Sequence, residues 1–305
     1  MDKYRVLILG GSGMLGHKLY MRLSRQEQLD VYATFRQIDK VEWFFPPSLT
    51  SGLIGNIDAN NFESIADVTE RIKPDLLINC IGIIKQLPAA SNHLMSIYIN
   101  ALLPHKLAEL CRKNAARMLH ISTDCVFSGS RGNYRESDDK DAADLYGRTK
   151  ALGEVNYPHC LTLRTSIIGH EINTRYGLLE WFLASAGQVQ GYRRHIYTGL
   201  TTTELSNFII KHLIPKWSLH GIYHLSSQPI SKYELLNCIK QIYKKQIEIK
   251  ADDALFCDRS LDSSCLREIV NYTPPSWPEM LNNMYQDYLE CPYKEAKRGD
   301  KNAAF

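Results

Sequence analysis

Short apolar runs alternate along this chain with longer stretches whose apolar residues recur every three or four positions. The first run, Tyr4-Arg5-Val6-Leu7-Ile8-Leu9, ends in Gly10-Gly11-Ser12-Gly13-Met14-Leu15-Gly16 and passes into His17 to Leu23 at helical spacing. That order predicts a strand, a glycine-rich turn and a helix. Val31 to Phe35, Leu76 to Cys80, Met118 to Ile121 and Leu161 to Leu163 predict further strands, and Phe62 to Ile72 and Ile97 to Lys113 carry helical periodicity between them. Strands alternating with helices imply an α/β fold, a doubly wound parallel sheet covered on both faces. Past about residue 168 the alternation loosens, and helical patterns at Thr203 to Leu213, Tyr233 to Tyr243 and Trp277 to Tyr288 mix with aromatic, Thr-rich and Pro-containing segments. A second, smaller α/β region supplying substrate contacts is expected there. Lys294 to Lys301 has no apolar face to bury and is expected to fray.

Composition narrows the function classes. The 305 residues are 44% hydrophobic and 23% charged, which is globular, and 36 basic against 33 acidic side chains leave +3. That balance has no basic stripe or face, so no nucleic-acid partner is expected. No apolar run reaches the roughly 18 to 20 residues a membrane helix needs, so no membrane insertion is expected. No secretory signal is visible after Met1 either. Eight cysteines stand singly, with no Cys-x-x-Cys pair, as in a reducing cytoplasm. No metal site is expected.

The turn after the first strand carries the first chemistry. Glycines at 10, 13 and 16 make one phosphate-binding register, and those at 11, 13 and 16 make another. In either, one glycine permits a tight turn, one lets backbone approach a pyrophosphate, and one lets the helix sit close to its strand. The segment Gly10, Ser12, Gly13, Met14, Leu15 and Gly16 is therefore the candidate cofactor cradle of a Rossmann-like domain. About twenty residues past the last glycine, where such a fold meets the adenosine ribose, stands Arg36. A guanidinium pairs with a 2′-phosphate, which favours NADP(H) over NAD. The alternative is that Arg36 is a surface charge and Asp39 is the ribose contact.

Tyr-x-x-x-Lys occurs twice, at Tyr146/Lys150 and Tyr293/Lys297. With 17 tyrosines the bare pattern arises by chance, so position separates the two. Tyr293 lies in the polar tail, beyond the expected core elements, whereas Tyr146 opens a helix between two strands. Spacing of four places Tyr146 and Lys150 on one helical face, about 5–6 Å apart at Cβ. Upstream, at a strand end, comes His120-Ile121-Ser122-Thr123-Asp124-Cys125-Val126-Phe127. Hydride transfer to a ketone leaves an alkoxide that needs a proton. A tyrosine beside an ammonium can supply it; Lys150 would provide that ammonium and also bind the cofactor by holding the nicotinamide ribose, and Thr123 can fix the carbonyl oxygen.

These residues resemble a known family. Gly10 to Gly16, Ile121 to Phe127 and Tyr146-Gly147-Arg148-Thr149-Lys150 followed by Gly153-Glu154 resemble the extended short-chain dehydrogenase/reductases, most closely the dTDP-4-dehydrorhamnose reductase branch of sugar-nucleotide 4-ketoreductases. The likeness continues through Asn79 to Gly82, Asn100-Ala101, Leu163 to Ser166, Gly221 to Ser226 and Asp258 to Leu261. It implies that Thr123, Tyr146 and Lys150 carry catalysis and that Cys80, Ile81, Gly82 and Asn100 line the cofactor cleft, with Thr201 and Arg259 as substrate contacts. It also implies interleaved domains: 1–168 with about 196–224 for NADP, about 169–195 with 225–293 for substrate, and 294–305 as a flexible tail. A homodimer is the superfamily's habit.

Two departures from the family pattern stand out. Related dehydratases carry Thr-Asp-Glu where this chain has Thr123-Asp124-Cys125, and a buried neutral thiol is a poor base, so ketoreduction is expected rather than loss of water. Tyr197 to Thr202 replaces the more usual Gly-Ser-Pro-Thr near the substrate, leaving nucleotide and sugar open. The expectation is NADPH-dependent reduction of the C4 ketone of a nucleotide-linked 4-keto-6-deoxy sugar, for surface polysaccharide precursors. The alternatives are a UDP-linked N-acetylated 4-keto sugar or a non-catalytic NADP-binding regulatory subunit. His120 and His224 are expected to be core histidines, and Arg193-Arg194-His195 either a diphosphate contact or a solvated loop.

Overall fold

The computed structural model describes residues 3–216 and 218–293, so the expected fraying of 294–305 lies outside the described residues. Along the chain come β1 (Tyr4–Leu9), α1 (Gly16–Leu23), β2 (Leu29–Thr34), β3 (Leu53–Ile54), α2 (Phe62–Ile72) and β4 (Leu76–Asn79). A helical stretch then runs from α3 (His93–Ser96) through a π turn (Ile97–Leu102) into α4 (Leu103–Lys113), followed by β5 (Arg117–Thr123), α5 (Leu145–Leu152) and β6 (Cys160–Thr165). Beyond lie β7 (Ile167–Ile168), α6 (Leu178–Ala184), β8 (Gln188–Tyr192), β9 (His195–Tyr197), β10 (Leu200–Thr201) and α7 (Thr202–Phe208). Next are β11 (Gly221–His224), β12 (Ile230–Ser231), α8 (Lys232–Ile242), β13 (Glu248–Asp252), β14 (Cys257–Asp258), α9 (Ser264–Val270) and α10 (Trp277–Glu290). The helix expected over 97–113 thus begins four residues earlier, at His93, because the Asn92 side chain caps it by accepting the Met95 N–H at 3.1 Å.

Seven parallel strands form one sheet in the order β3-β2-β1-β4-β5-β6-β11. Alternate residues of β1 explain why both faces are covered: Val6 and Ile8 pack with Leu19 and Leu23 of α1, while Leu7 and Leu9 pack with Ile65 and Val68 of α2 and Leu107 of α4. Strand order reverses between β1 and β4, and this opens a crevice beyond their C-terminal ends.

After β6 the chain lays down β8 and β9, returns as β11 to the edge of the large sheet, and then completes smaller sheets in which β13 pairs with β8 and β9 lies between β12 and β14. Leu235 and Leu236 of α8 and Met280 and Leu281 of α10 join the same apolar cluster as Leu19 and Leu205, so the smaller region shares the core of the large one. Tyr293 corrects an expectation. It is not in a polar tail but fully buried, because α10 carries the chain back across α1 and sets its ring against Phe44 and Tyr288. Among the described residues, no helix is long and apolar enough to cross a membrane.

Candidate active site

The glycine turn sits at the end of β1, and its glycines differ in what surrounds them. Gly10 has φ +87°, and a Cβ there would lie 3.1 Å from Ile81 and 3.3 Å from the Cys80 carbonyl carbon. A Cβ on Gly16 would come within 2.1 Å of the Gly10 oxygen, so the helix can start this close to the strand only with glycine. Gly13 is different: its Cβ would meet only the Gly10 oxygen, at 3.4 Å, which is ordinary contact. Gly13 is exposed, and the turn is open on its side. Gly11 instead lies under the Phe35 ring. Exposed Ser12 and half-buried Met14 stand between the glycines, with Leu15 buried beneath them. At the start of α1 the His17 N–H donates to Gly13 O at 3.3 Å and the Leu19 N–H to Leu15 O at 2.9 Å, so the turn runs directly into the helix.

Neighbouring loops complete the cradle. The Gly11 N–H donates to Thr34 O at 2.8 Å, which ties the turn to the end of β2, and Arg36 stands exposed just beyond. The Ile81 N–H donates to Asn79 Oδ1 at 3.1 Å, and Asn79 Nδ2 donates to His120 Nδ1 at 3.1 Å, so His120 is a core histidine that braces the Cys80–Ile81 loop. Asn100 accepts the Ile83 N–H at 2.8 Å and returns its amide to Ile83 O at 2.9 Å. It holds Gly82 and its neighbours in place from behind, with its own side chain fully buried. The open side of Gly13 and the exposed guanidinium of Arg36 beyond β2 fit a dinucleotide with a 2′-phosphate.

One strand over, α5 carries Tyr146 and Lys150 to the end of β5. Two glycines set its position: a Cβ on Gly147 would lie 2.3 Å from Cys125 O, and one on Gly153 1.9 Å from Asn100 O. The helix is thus pressed against the Thr123–Cys125 turn at one end and the π turn at the other. Asp144 caps it, accepting the Gly147 N–H at 2.9 Å, and pairs with Lys85 at 2.8 Å. The Lys85 ammonium also lies 5.6 Å from the centre of the Tyr146 ring.

Burial pushes the Tyr146 hydroxyl well above its ordinary value, the Cys125, Asp124 and Asp144 side chains add to that, and the Thr123 hydroxyl works against it. Tyr146 is therefore held as the acid form. Lys150 donates to Ile121 O at 2.8 Å, and burial lowers its ammonium to about 8 despite the pull of Glu154. Cys80 is close enough to Lys150 to feel its charge, which joins the glycine-turn side of the crevice to the Tyr146 side. Thr123 donates to Asp124 Oδ1 and accepts the Cys125 N–H, both at 3.1 Å.

The substrate side differs in part from expectation. Arg259 donates through Nε to Phe127 O at 2.8 Å and through Nη2 to Ser128 O at 3.1 Å, and its charge reaches Asp124, Cys125 and Asp144 beside Tyr146. Thr201 has no surface to offer a substrate: it is fully buried and caps α7 by accepting the Glu204 N–H at 3.2 Å. From the same stretch it is Tyr197 that comes to the site, half-buried, beside Ser166, Asp124 and Cys125. The Cys125 thiol is pushed up to about 12 by burial, so it is neutral. Arg193 pairs with Asp253, both exposed, where the parallel strands β8 and β13 end. His224 is fully buried and bonded on both nitrogens, to Arg164 at 3.1 Å and to the Tyr134 and Asp262 carbonyls.

Sequence reasoning missed Lys85, Tyr197 and the buried Glu154, which accepts from Ser122 at 2.9 Å and takes a two-pronged pair from Arg164 at 2.8 and 2.9 Å directly behind Thr123. Asp144 alone had a local signal, an aspartate at the helix start three residues before a free N–H.

A family model described as the RmlD substrate binding domain matches residues 4–289. A dTDP-4-dehydrorhamnose reductase from Aggregatibacter actinomycetemcomitans is 25% identical over 306 residues, covering 92% of this chain and 98% of that protein. A dTDP-4-keto-6-deoxy-D-glucose reductase from Streptomyces niveus is 30% identical over 151 residues, about half of each chain at 49% and 46%. Among solved structures, dTDP-4-dehydrorhamnose reductase from Bacillus anthracis str. Ames, in complex with NADP, shares the fold with a TM-score of 0.76 at 23% identity, over 93% of this chain and 99% of that one. With its glycine turn, its Tyr-x-x-x-Lys helix and a family match spanning nearly every described residue, the chain belongs to the RmlD substrate-binding domain family of extended short-chain dehydrogenase/reductases.

Proposed function

We propose that the protein is an NADPH-dependent reductase of the C4 ketone of a nucleotide-linked 4-keto-6-deoxy sugar. The observation that carries this is the meeting of Thr123, Tyr146 and Lys150 at the end of β5, one strand from the glycine turn, with Cys80 and Ile81 bridging the two. The glycine turn and exposed Arg36 support NADPH as the cofactor. When bound, NADPH supplies a hydride to the ketone carbon.

The chain's own residues do the rest. The Thr123 hydroxyl turns from Asp124 toward the ketone oxygen and orients it. The Tyr146 hydroxyl donates its proton to that oxygen as negative charge develops there, and the resulting phenolate recovers a proton from solvent. A charged Lys150 stabilises the phenolate while it lasts. Cys125 is a neutral thiol and too weak a base to take the substrate proton that elimination of water would need, so reduction stops at the alcohol. Arg259, Lys85 and Tyr197 line the side from which a sugar-nucleotide arrives.

The test follows loss of reduced-nicotinamide absorbance with NADPH, then NADH, on a dTDP-4-keto-6-deoxy sugar and on a UDP-linked N-acetylated counterpart. NADPH oxidation with the first is expected, and Tyr146→Phe is expected to lower turnover at least 100-fold with NADPH binding unchanged. Full NADPH binding with no turnover on either sugar would instead favour a regulatory role.

A further inference from the structure

The segment that follows α10 reaches the cofactor cradle through two hydrogen bonds in series. His17, in the first turn of α1, lies 2.7 Å through Nδ1 from Gly13 O and 2.7 Å through Nε2 from the Tyr293 hydroxyl. His17 and Tyr293 are both fully buried. Burial and the neighbouring Lys18 charge lower His17 to about 3, so the imidazole is neutral throughout the working range. A carbonyl can only accept, so the single ring proton sits on Nδ1 and points at Gly13. Nε2 is then a bare acceptor, and the Tyr293 hydroxyl must donate to it. The direction of the chain is fixed from Tyr293 through His17 to Gly13.

The peptide plane turns this into a statement about the cofactor. Gly13 C=O and Met14 N–H belong to one trans peptide unit and point in opposite directions. Two groups of His17 draw the Gly13 oxygen inward, the ring Nδ1 at 2.7 Å and the backbone N–H at the longer 3.3 Å, and with the oxygen held there the Met14 N–H is aimed outward, toward the open side of Gly13. The same Tyr293 ring packs on Phe44, beyond the Arg36 loop, at 4.9 Å and on His170 at 4.8 Å, so it is braced by the loops on either side of the cradle.

We propose that Tyr293 and His17 are positioning residues for dinucleotide binding, which hold the Met14 N–H toward the pyrophosphate although neither touches it. This rests on the NADPH reading given above.

The experiment measures NADPH dissociation constants by fluorescence, with melting temperatures alongside, for wild type, Tyr293→Phe, His17→Leu, the double variant and Tyr243→Phe. The Tyr243 hydroxyl is hydrogen-bonded to His170 Nε2 at 2.8 Å in the same aromatic cluster, and the other ring nitrogen of His170 meets Glu180 at 2.6 Å rather than a glycine-turn carbonyl, so Tyr243→Phe controls for loss of a Tyr–His bond. Tyr293→Phe is expected to weaken NADPH about tenfold, the worth of one oriented hydrogen bond, and Tyr243→Phe to bind as wild type even if its stability falls by a similar amount. The double variant is expected to bind no worse than His17→Leu alone, because the two act in one chain. Equal NADPH affinity in wild type and Tyr293→Phe overturns the inference, as do losses that add in the double variant. Should Tyr293→Phe not fold, unchanged affinity in His17→Leu overturns it. Wild type that binds no NADPH refutes the cofactor reading instead.

Discussion

Lys150 concentrates the chemistry and the instability of this site in one side chain. Its ammonium is buried and lowered to about 8 from an ordinary 10.5, a difference on the order of 3 kcal/mol. Below pH 8 the group is charged in the folded and the unfolded chain alike, and the full burial penalty is present. Between about 8 and 10.5 the folded protein has released the proton while the unfolded chain still holds it, so this residue's contribution favours folding more as pH rises. Lys150→Met removes the penalty. Its stability advantage over wild type in denaturant titrations is expected to shrink as pH is raised through that window, and an advantage that ignores pH would refute the assignment. In the active enzyme the same titration has the opposite consequence. The kcat/KM for reduction is expected to fall above about pH 8 as Lys150 loses the charge that supports the Tyr146 phenolate.

At the scale of the element, α5 works because it is close. Gly147 lets it lie against Cys125 O, and Gly153 lets it end against Asn100 O. Gly147→Ala places a methyl group where there is no room and lifts Tyr146 from Thr123. A displacement of about 1 Å is enough to lower turnover on the order of 100-fold. Stopped-flow reduction alongside NADPH titration checks this: turnover is expected to collapse while NADPH affinity, set by the separate glycine turn, stays near wild type. Unimpaired turnover would mean that the helix is not held by this contact. The period of the α5 pattern and the spacing of Tyr146 and Lys150 were legible in the sequence, since both are local. That Gly147 and Gly153 press on segments more than twenty residues away was not, because a glycine chosen for contact reads the same as one chosen for a turn.

For the whole molecule, α10 closes the structure onto α1. Lys18 and Asp287 form a buried ion pair there, with Arg22 3.6 Å from the other carboxylate oxygen. Asp287→Asn leaves Lys18 buried without its counter-charge and is expected to cost about 3–5 kcal/mol in urea unfolding. A loss below 1 kcal/mol would mean that water reaches the pair. The order of strands and helices, the doubly wound sheet and the positions of Thr123, Tyr146 and Lys150 followed from the sequence alone. Apolar periodicity and motif spacing are short-range, and a parallel sheet buried on both faces imposes them on each segment separately. Only the tertiary structure decided that Gly11 lies under the Phe35 ring, that Thr201 caps a helix while Tyr197 comes beside Asp124, and that Tyr293 belongs to the core. Each of these depends on contacts between residues far apart in sequence: Gly11 against Phe35, Tyr197 beside Asp124, and Tyr293 on His17 across 276 positions. No local pattern encodes such a meeting, because it exists only once α10 has folded back across the first helix.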